Sequence, residues 1–408
     1  MLDQPMGIEV DIKVLQVVQS YYPAIVYGGP IFSIHYTCQA LARRGIEIQV
    51  ATTNANGNSK LDVDVGKLVV FEPNYSVRYY DDTIISRFSL DFCWHLPQDI
   101  RSADVIHLQD VFSTYAAWTL LLASFASKPI LISTRGTFTP WGLKTKRPWL
   151  KKLWLLLLVH PFIRKMNRVT WHATSEAECG EILTQFPKAR VHVVPNGIAC
   201  AEFDKILPLS RLDYFAKFFP DARVVPDRTR VLVGLGRIHP IKGFDIAIRA
   251  FRQIADRYPD SVLLIAGGDD GEHTVLERLI GELALGDRVA LVGELKGDDK
   301  ITFLKGADLF LFPSHSENFG MAVLEALAAG LPVVASRNTP WAEMEKVGSG
   351  LWVDNTPEAF AHAIAQLLVQ DLSVMRQKAR DQAAGYDLTA IAARFENIYM
   401  ELIDANAK

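Results

Sequence analysis

Short β-branched runs alternate with amphipathic helical stretches throughout this chain, and the series starts afresh near its midpoint. Runs at 13–20, 46–53, 104–110, 129–135, 168–175 and 190–198 form a first set; those at 230–237, 261–268, 288–295, 307–314 and 331–337 form a second. Strands separated by helices predict parallel sheets with crossover connections. A length of 408 residues is enough for two or three domains. The expected fold class is therefore α/β, with two doubly wound parallel sheets joined near 196–203. Ligands of such sheets bind at the carboxyl ends of the strands, so a ligand touching both would lie between them. A last helix over 388–403 carries Ile391, Phe395, Ile398, Tyr399 and Leu402 at the spacing of one buried stripe. The stretch 201–229, with three prolines, reads as a linker holding one short helix. The expected units are 1–198, 199–385 and a terminal helical segment 386–408 returning to the first domain.

The string SHSENFGMAVLEALAAGLPVVAS places Glu317 in a polar turn and Glu325 two turns into the helix that follows. At helical rise the pair is roughly 12 Å apart. That exceeds the separation of about 5–9.5 Å at which two carboxylates act on one bond. It suits two ends of an extended ligand, such as the sugar and the ribose of a nucleotide sugar. The helix start at Asn318, Phe319 and Gly320 offers backbone N–H groups to an anion between them.

Two glycine-rich strand-to-helix turns are candidates for phosphate binding. GLGRIHPIKG at 234–243 combines Gly236 with Arg237, which can fork onto two phosphate oxygens, and with Lys242 as a compact second charge. Together they suit a diphosphate held without metal. His239 stands where a dinucleotide fingerprint needs its third glycine, which argues against nicotinamide binding. Tyr27, Gly28, Gly29 and Pro30 follow the first strand. Alone they read equally as an ordinary turn with proline opening a helix; with the second turn they suit a lid over phosphates.

Taken together, GGP at 28–30, VPNGI at 194–198, GLGRIHPIKGFD at 234–245, LIAGGDD at 264–270 and ENFGMAVLEALAAGLPVVAS at 317–336 resemble the family 4 retaining glycosyltransferases, of the GT-B fold. The resemblance spans nearly the whole length and extends to bacterial exopolysaccharide and O-antigen assembly enzymes. It implies that Glu325 binds the ribose hydroxyls and that Arg237 and Lys242 bind the diphosphate. Glu317 and the backbone of Asn318, Phe319, Gly320 and Met321 would hold the transferred sugar, and the loop at Glu294 and Leu295 would meet the base. Glu317, Arg237 and Lys242 are then the expected catalytic groups, acting by charge stabilisation with no covalent nucleophile. The expected reaction moves a hexose, glucose first, from a UDP-sugar to a lipid-linked or growing polysaccharide acceptor, without a metal or other cofactor. Uridine rather than guanosine rests on family frequency alone. A sugar-nucleotide epimerase of the same shape, or a non-catalytic nucleotide-sugar or glycan binder, are the alternatives.

The sequence departs from the family where many members carry a histidine after the fourth strand of the first domain. Here the run is Ser133, Thr134, Arg135, Gly136, Thr137. Arg135 is the candidate replacement, with His172 a second candidate for the sugar and His107 one for the acceptor. A lone histidine within a strand is usually structural, and that is the competing reading of each.

Between 140 and 175 the chain has Lys144, Lys146, Arg147, Lys151, Lys152, Arg164, Lys165 and Arg168 but no acid, interleaved with Trp141, Trp149, Trp154 and Leu153. Such a pattern favours an anionic membrane surface, and fits equally well a crossover helix with basic flanks. A net charge of −3 argues against nucleic acid as a partner. Cys38, Cys93, Cys179 and Cys200 have no CxxC spacing and read as reduced thiols. No apolar run approaches the roughly 20 residues of a membrane span, and the first residues carry no signal core. The expected location is cytoplasmic, or peripheral on the cytoplasmic face of the inner membrane. Asp62-Val63-Asp64 matches a metal-binding DxD string but falls in a loop of the first domain and is read as chance.

Overall fold

The computed structural model describes residues 12–24, 26, 28–82, 89–144, 148–166, 169–222, 225 and 227–407. The chain divides into two compact units, one of residues 1–197 with 388–408 and one of residues 198–387.

In unit 1 the strands are β1 (Lys13–Ser20), β2 (Glu47–Thr53), a small hairpin of β3 (Ala55–Asn56) and β4 (Ser59–Lys60), then β5 (Leu68–Glu72), β6 (Tyr75–Tyr80), β7 (Val105–Gln109), β8 (Ile130–Ser133), β9 (Val169–Ala173) and β10 (Arg190–Val193). The main sheet runs β10-β9-β8-β7-β1-β2-β6-β5 and is parallel except for the β5 edge. Successive side chains of a strand point to opposite faces. In β1, Leu15 and Val17 accordingly join one core while Val14 and Val18 join the other. The second core also takes Ile34, Cys38 and Leu41 of the helix Gly29–Arg43, and Ile391, Phe395, Ile398, Tyr399 and Leu402 of the helix Leu388–Ala407. Both faces being covered explains why these strands read as continuous apolar runs.

Unit 2 holds β11 (Arg230–Leu235), β12 (Ser261–Ala266), β13 (Val289–Gly293), β14 (Leu309–Phe312), β15 (Val333–Ser336) and β16 (Gly350–Val353) in the order β13-β12-β11-β14-β15-β16, all parallel. This is the doubly wound order whose strand direction of growth reverses between β11 and β14, the switch point at which ligands bind.

Three readings need correction. The stretch 201–229 is more than a linker: its helices Cys200–Lys205 and Arg211–Phe218 place Phe203, Tyr214, Phe215 and Phe218 in the unit 2 core. Pro208 lies between those helices and Pro220 just after the second, so they bound them; Pro226 lies outside the described residues. Strands β3, β4, β5, β6 and β16 were not among the expected runs: β3, β4 and β16 are only two to four residues long, and the polar residues of YSVRYY dilute the apolar signal of β6. The helix after β14 begins at Met321, since Gly320 is left-handed at φ 88°, a conformation that ends the preceding turn rather than starting a helix. Glu325 therefore lies one turn into the helix, not two.

Candidate functional site

The unit 2 switch point is built by the loops leaving β11 and β14. Past β11, the chain passes Gly236 and Arg237 into a single 3₁₀ turn, Pro240–Lys242, and then the helix Phe244–Ala255. His239 stands where a third glycine was sought, and its Nδ1 accepts the Ile241 N–H at 3.1 Å, capping the turn. The β14 loop ties onto the same turn: the His315 N–H and the Ser314 hydroxyl both donate to the Ile241 carbonyl, at 2.8 and 3.0 Å. Lys242 is thereby brought to Glu317, its Nζ 2.6 Å from Oε2, with both side chains more than four-fifths buried (16% and 18% exposed). The ammonium also lies 5.6 Å from the Phe312 ring centre. The ends of β11 and β12 come so close that a Cβ on Gly267 would sit 1.7 Å from the Gly236 carbonyl oxygen. Only glycine is possible at 267, which accounts for that part of LIAGGDD.

Beyond Glu317 the turn is fixed by aromatic packing. The Trp341 indole N–H donates to the Phe319 carbonyl, and Phe319, Trp341 and Tyr386 form one cluster. Glu325 accepts Lys300 Nζ at 2.6 Å, on a neighbouring helix, Gly297–Lys305. Arg237 is half exposed and paired with Asp270. Glu294 pairs with Lys296 at 2.9 Å, both exposed, while Leu295 packs against the unit 2 core. Lys300 and Asp270 were not singled out from the sequence, because pairing across elements leaves no spacing to read. Asp270 does stand inside a quoted motif, which was the available signal. Among the described residues, no three His, Cys, Asp or Glu side chains group as a cation site.

Gly28, Gly29, His107, Arg135 and His172 belong to unit 1. Gly28 precedes the helix Gly29–Arg43 at φ 78°, and Tyr27 lies outside the described residues. Arg135 is left-handed (φ 51°), with Nε on Gln109 Oε1 and an Nη on Asn196 Oδ1, both at 2.8 Å. Burial lowers its pKa, while the Glu178 carboxylate works in the opposite direction. That carboxylate accepts the Thr134 hydroxyl (2.6 Å), the Gly136 N–H (2.7 Å), and the Thr174 N–H and hydroxyl (2.7 and 2.8 Å). These bonds hold the Glu178 pKa low against the effect of burial. Glu178 was not singled out from the sequence, because its donors come from Thr134, Gly136 and Thr174 on separate segments.

The histidine readings require correction. His107 and His172 are each 1% exposed and meet through the Ser133 hydroxyl, 2.7 Å from both rings. His172 Nε2 donates to the Val194 carbonyl at 2.7 Å, so its Nδ1 accepts from Ser133. Ser133 then accepts from His107 Nε2, and His107 Nδ1 accepts from Gln16 and Tyr399 at 2.9 and 2.8 Å. Both rings are thus neutral and fully bonded, and neither offers a nitrogen to a sugar or an acceptor. Burial is the main reason that His172 is lowered to about 4 and that His107 is also lowered well below its ordinary value; His172 adds to the effect at His107, and Arg135 adds to both.

A proton on either ring would turn an accepting nitrogen into a donor facing a donor. The unfolded chain takes up these protons near pH 6.5, whereas in the fold His172 refuses its proton until about 4 and the His107 pKa is lowered as well, so stability is full above pH 6.5 and is lost as pH falls below it. Between pH 7 and 5 the melting temperature of unit 1 is expected to drop by at least about 5 °C. Replacing His172 with glutamine should remove part of that slope in thermal melts followed by circular dichroism; an unchanged slope would rule out the network as its source.

With this geometry in hand, kinship can be stated. A model of Glycosyltransferase Family 4 matches residues 27–202 and a model of Glycosyl transferases group 1 matches residues 217–385. The chain belongs to the family 4 glycosyltransferases and has the GT-B fold, with two Rossmann-like units. It is similar to a D-inositol 3-phosphate glycosyltransferase of Mycolicibacterium vanbaalenii, 33% identical over 235 residues, covering 54% of this chain and 50% of the relative. The corresponding protein of Salinispora tropica is 34% identical over 212 residues, 48% of this chain and 43% of its own. The chain thus spans about half the length of the curated relatives it matches. Among solved structures, sucrose-phosphate synthase from Thermosynechococcus elongatus superposes with a TM-score of 0.72 at 18% identity, covering 97% of this chain and all (100%) of that one. Anabaena HepE, in complex with UDP and glucose, superposes with a TM-score of 0.70 at 18% identity, over 96% and 100%.

Proposed function

We propose that this protein is a retaining glycosyltransferase that moves a hexose, glucose first, from a UDP-sugar to a lipid-linked or growing polysaccharide acceptor. The setting is exopolysaccharide or cell-envelope glycan synthesis at the cytoplasmic face of a membrane. The observation that carries the reading is the Lys242–Glu317 pair at the β11/β14 switch point, flanked by Arg237 and Glu325. Similarity to a protein solved with UDP and glucose supports the choice of donor.

In this reading Lys242 and Arg237 take the diphosphate, and Glu317 with the backbone of Asn318–Met321 takes the sugar hydroxyls. Glu325 takes the ribose, and the Glu294–Leu295 loop meets the base. As the bond from the anomeric carbon to the diphosphate oxygen lengthens, negative charge gathers on the leaving group. Fixed cations stabilise that charge without reorganising. No step requires a metal.

Calorimetric titration of UDP-, GDP-, ADP- and dTDP-hexoses in EDTA tests the reading. Saturable binding of one UDP-hexose is expected. Glu325→Ala should weaken free UDP by roughly 10- to 100-fold, the loss of a hydrogen bond to a charged group. A strict metal requirement would overturn the diphosphate assignment, and absence of binding across the panel would overturn the donor reading.

A further inference from the structure

We propose that the outer face of the helical segment at 148–165, together with the groove beside it, docks on an anionic phospholipid bilayer. This deepens the membrane-bound part of the reading above and rests on it. The segment is a helix with a π turn at Leu155–Val159. Its inner face, Leu155 and Val159, is buried in the unit 1 core. Its outer face exposes Trp149 (64%), Leu156 (62%) and Leu157 (57%), and neighbouring helices add Trp94 (82%) and Phe125 (70%). Leaving such side chains in water forgoes about 1.5–3 kcal/mol apiece for the aliphatic ones, so a covering medium is expected.

Between these helices lies an apolar groove of about 320 Å³ lined by Cys93, Trp118, Leu121, Trp154, Leu158 and Phe162, among others. The polar atoms of its two indoles are turned onto backbone, Trp118 Nε1 to the Cys93 carbonyl (3.1 Å) and Trp154 Nε1 to the Val111 carbonyl (2.8 Å). The walls are left with hydrocarbon and ring carbon, which suits the end of an acyl chain.

Charge decides between the possible occupants. Lys144, Lys152, Arg164 and Lys165 are exposed, no acid occurs between 140 and 166, and Lys165 Nζ lies 4.3 Å from the centre of the Phe125 ring. Lys151 is bonded back to the Gly142 carbonyl and is not part of the face; Lys146, Arg147 and Arg168 lie outside the described residues. Lipid phosphates complement this rim. A second copy of the chain, meeting it by two-fold symmetry, would set the same cations against each other. No helix among the described residues is long and apolar enough to cross a membrane, which leaves docking on the surface.

The test is flotation of the full chain with vesicles of phosphatidylglycerol and phosphatidylcholine, and with phosphatidylcholine alone. Saturable binding to the anionic vesicles is expected, weakened at least about tenfold in the Leu156→Glu, Leu157→Glu double variant and on removing the anionic lipid. Trp94→Ser, at a still more exposed position, should weaken it in the same direction. UDP-sugar titration of each variant reports unit 2 separately and should be unchanged, so a failed flotation leaves the donor reading standing. Equal binding by parent and variants, no binding, or a dimer by light scattering that the double variant abolishes would each overturn the proposal.

Discussion

Glu317→Ala is expected to lower turnover by about two to three orders of magnitude while sparing affinity for free UDP. The two effects separate because the carboxylate is assigned to the transferred sugar, which free UDP lacks. Its removal also releases Lys242, otherwise held at 2.6 Å in a pair more than four-fifths buried. A largely buried ammonium without its carboxylate gains more from a phosphate than a neutralised one does, so UDP affinity should hold or rise. Glu317→Gln, which retains a carbonyl oxygen for hydroxyl groups, should lie between. Steady-state kinetics and UDP titration on the two variants decide the matter. If affinity and turnover fall together, Glu317 merely orders the turn; if turnover persists, the sugar assignment is wrong.

Glu178→Ala should destabilise unit 1 by roughly 3–5 kcal/mol, the range for removing one partner from a buried charged network. Four donors from Thr134, Gly136 and Thr174 converge on this carboxylate, which is 1% exposed. Alanine would leave them unsatisfied around a void. It would also remove the negative charge that favours ionised Arg135. Glu178→Gln keeps the volume but sets an amide donor against donors, and should cost less than alanine yet remain measurable. Denaturant unfolding gives the numbers; a loss under about 1 kcal/mol for alanine would show that water or local repacking replaces the clamp.

The site was legible in unequal parts. Gly236 and Lys242 were singled out because close backbone approach and anion binding demand particular residue types at particular places. Gly267 stood only inside the motif LIAGGDD, and its close approach to the Gly236 carbonyl is a finding of the structure. The placing of Glu317 in a turn and of Glu325 in the following helix was legible as well, but one helical turn too many was counted before Glu325, because Gly320 delays the helix to Met321. His107 and His172 misled for a simple reason: a histidine near a strand's carboxyl end looks alike whether it faces solvent or a Ser133 hydroxyl. Partners from distant segments, Gln16 and Tyr399, decide which.

What the sequence by itself determined is local: apolar runs set most strands of both sheets, though not β5, β6 or β16, and turn chemistry set the loops after β1 and β11. Tertiary structure alone decided which charges meet. Lys242 with Glu317, Arg237 with Asp270 and Lys300 with Glu325 are separated in sequence by 75, 33 and 25 residues. No periodicity links such positions. They come together because parallel strands of order β13-β12-β11-β14 deliver their carboxyl ends to one edge of the sheet, and only folding sets that order.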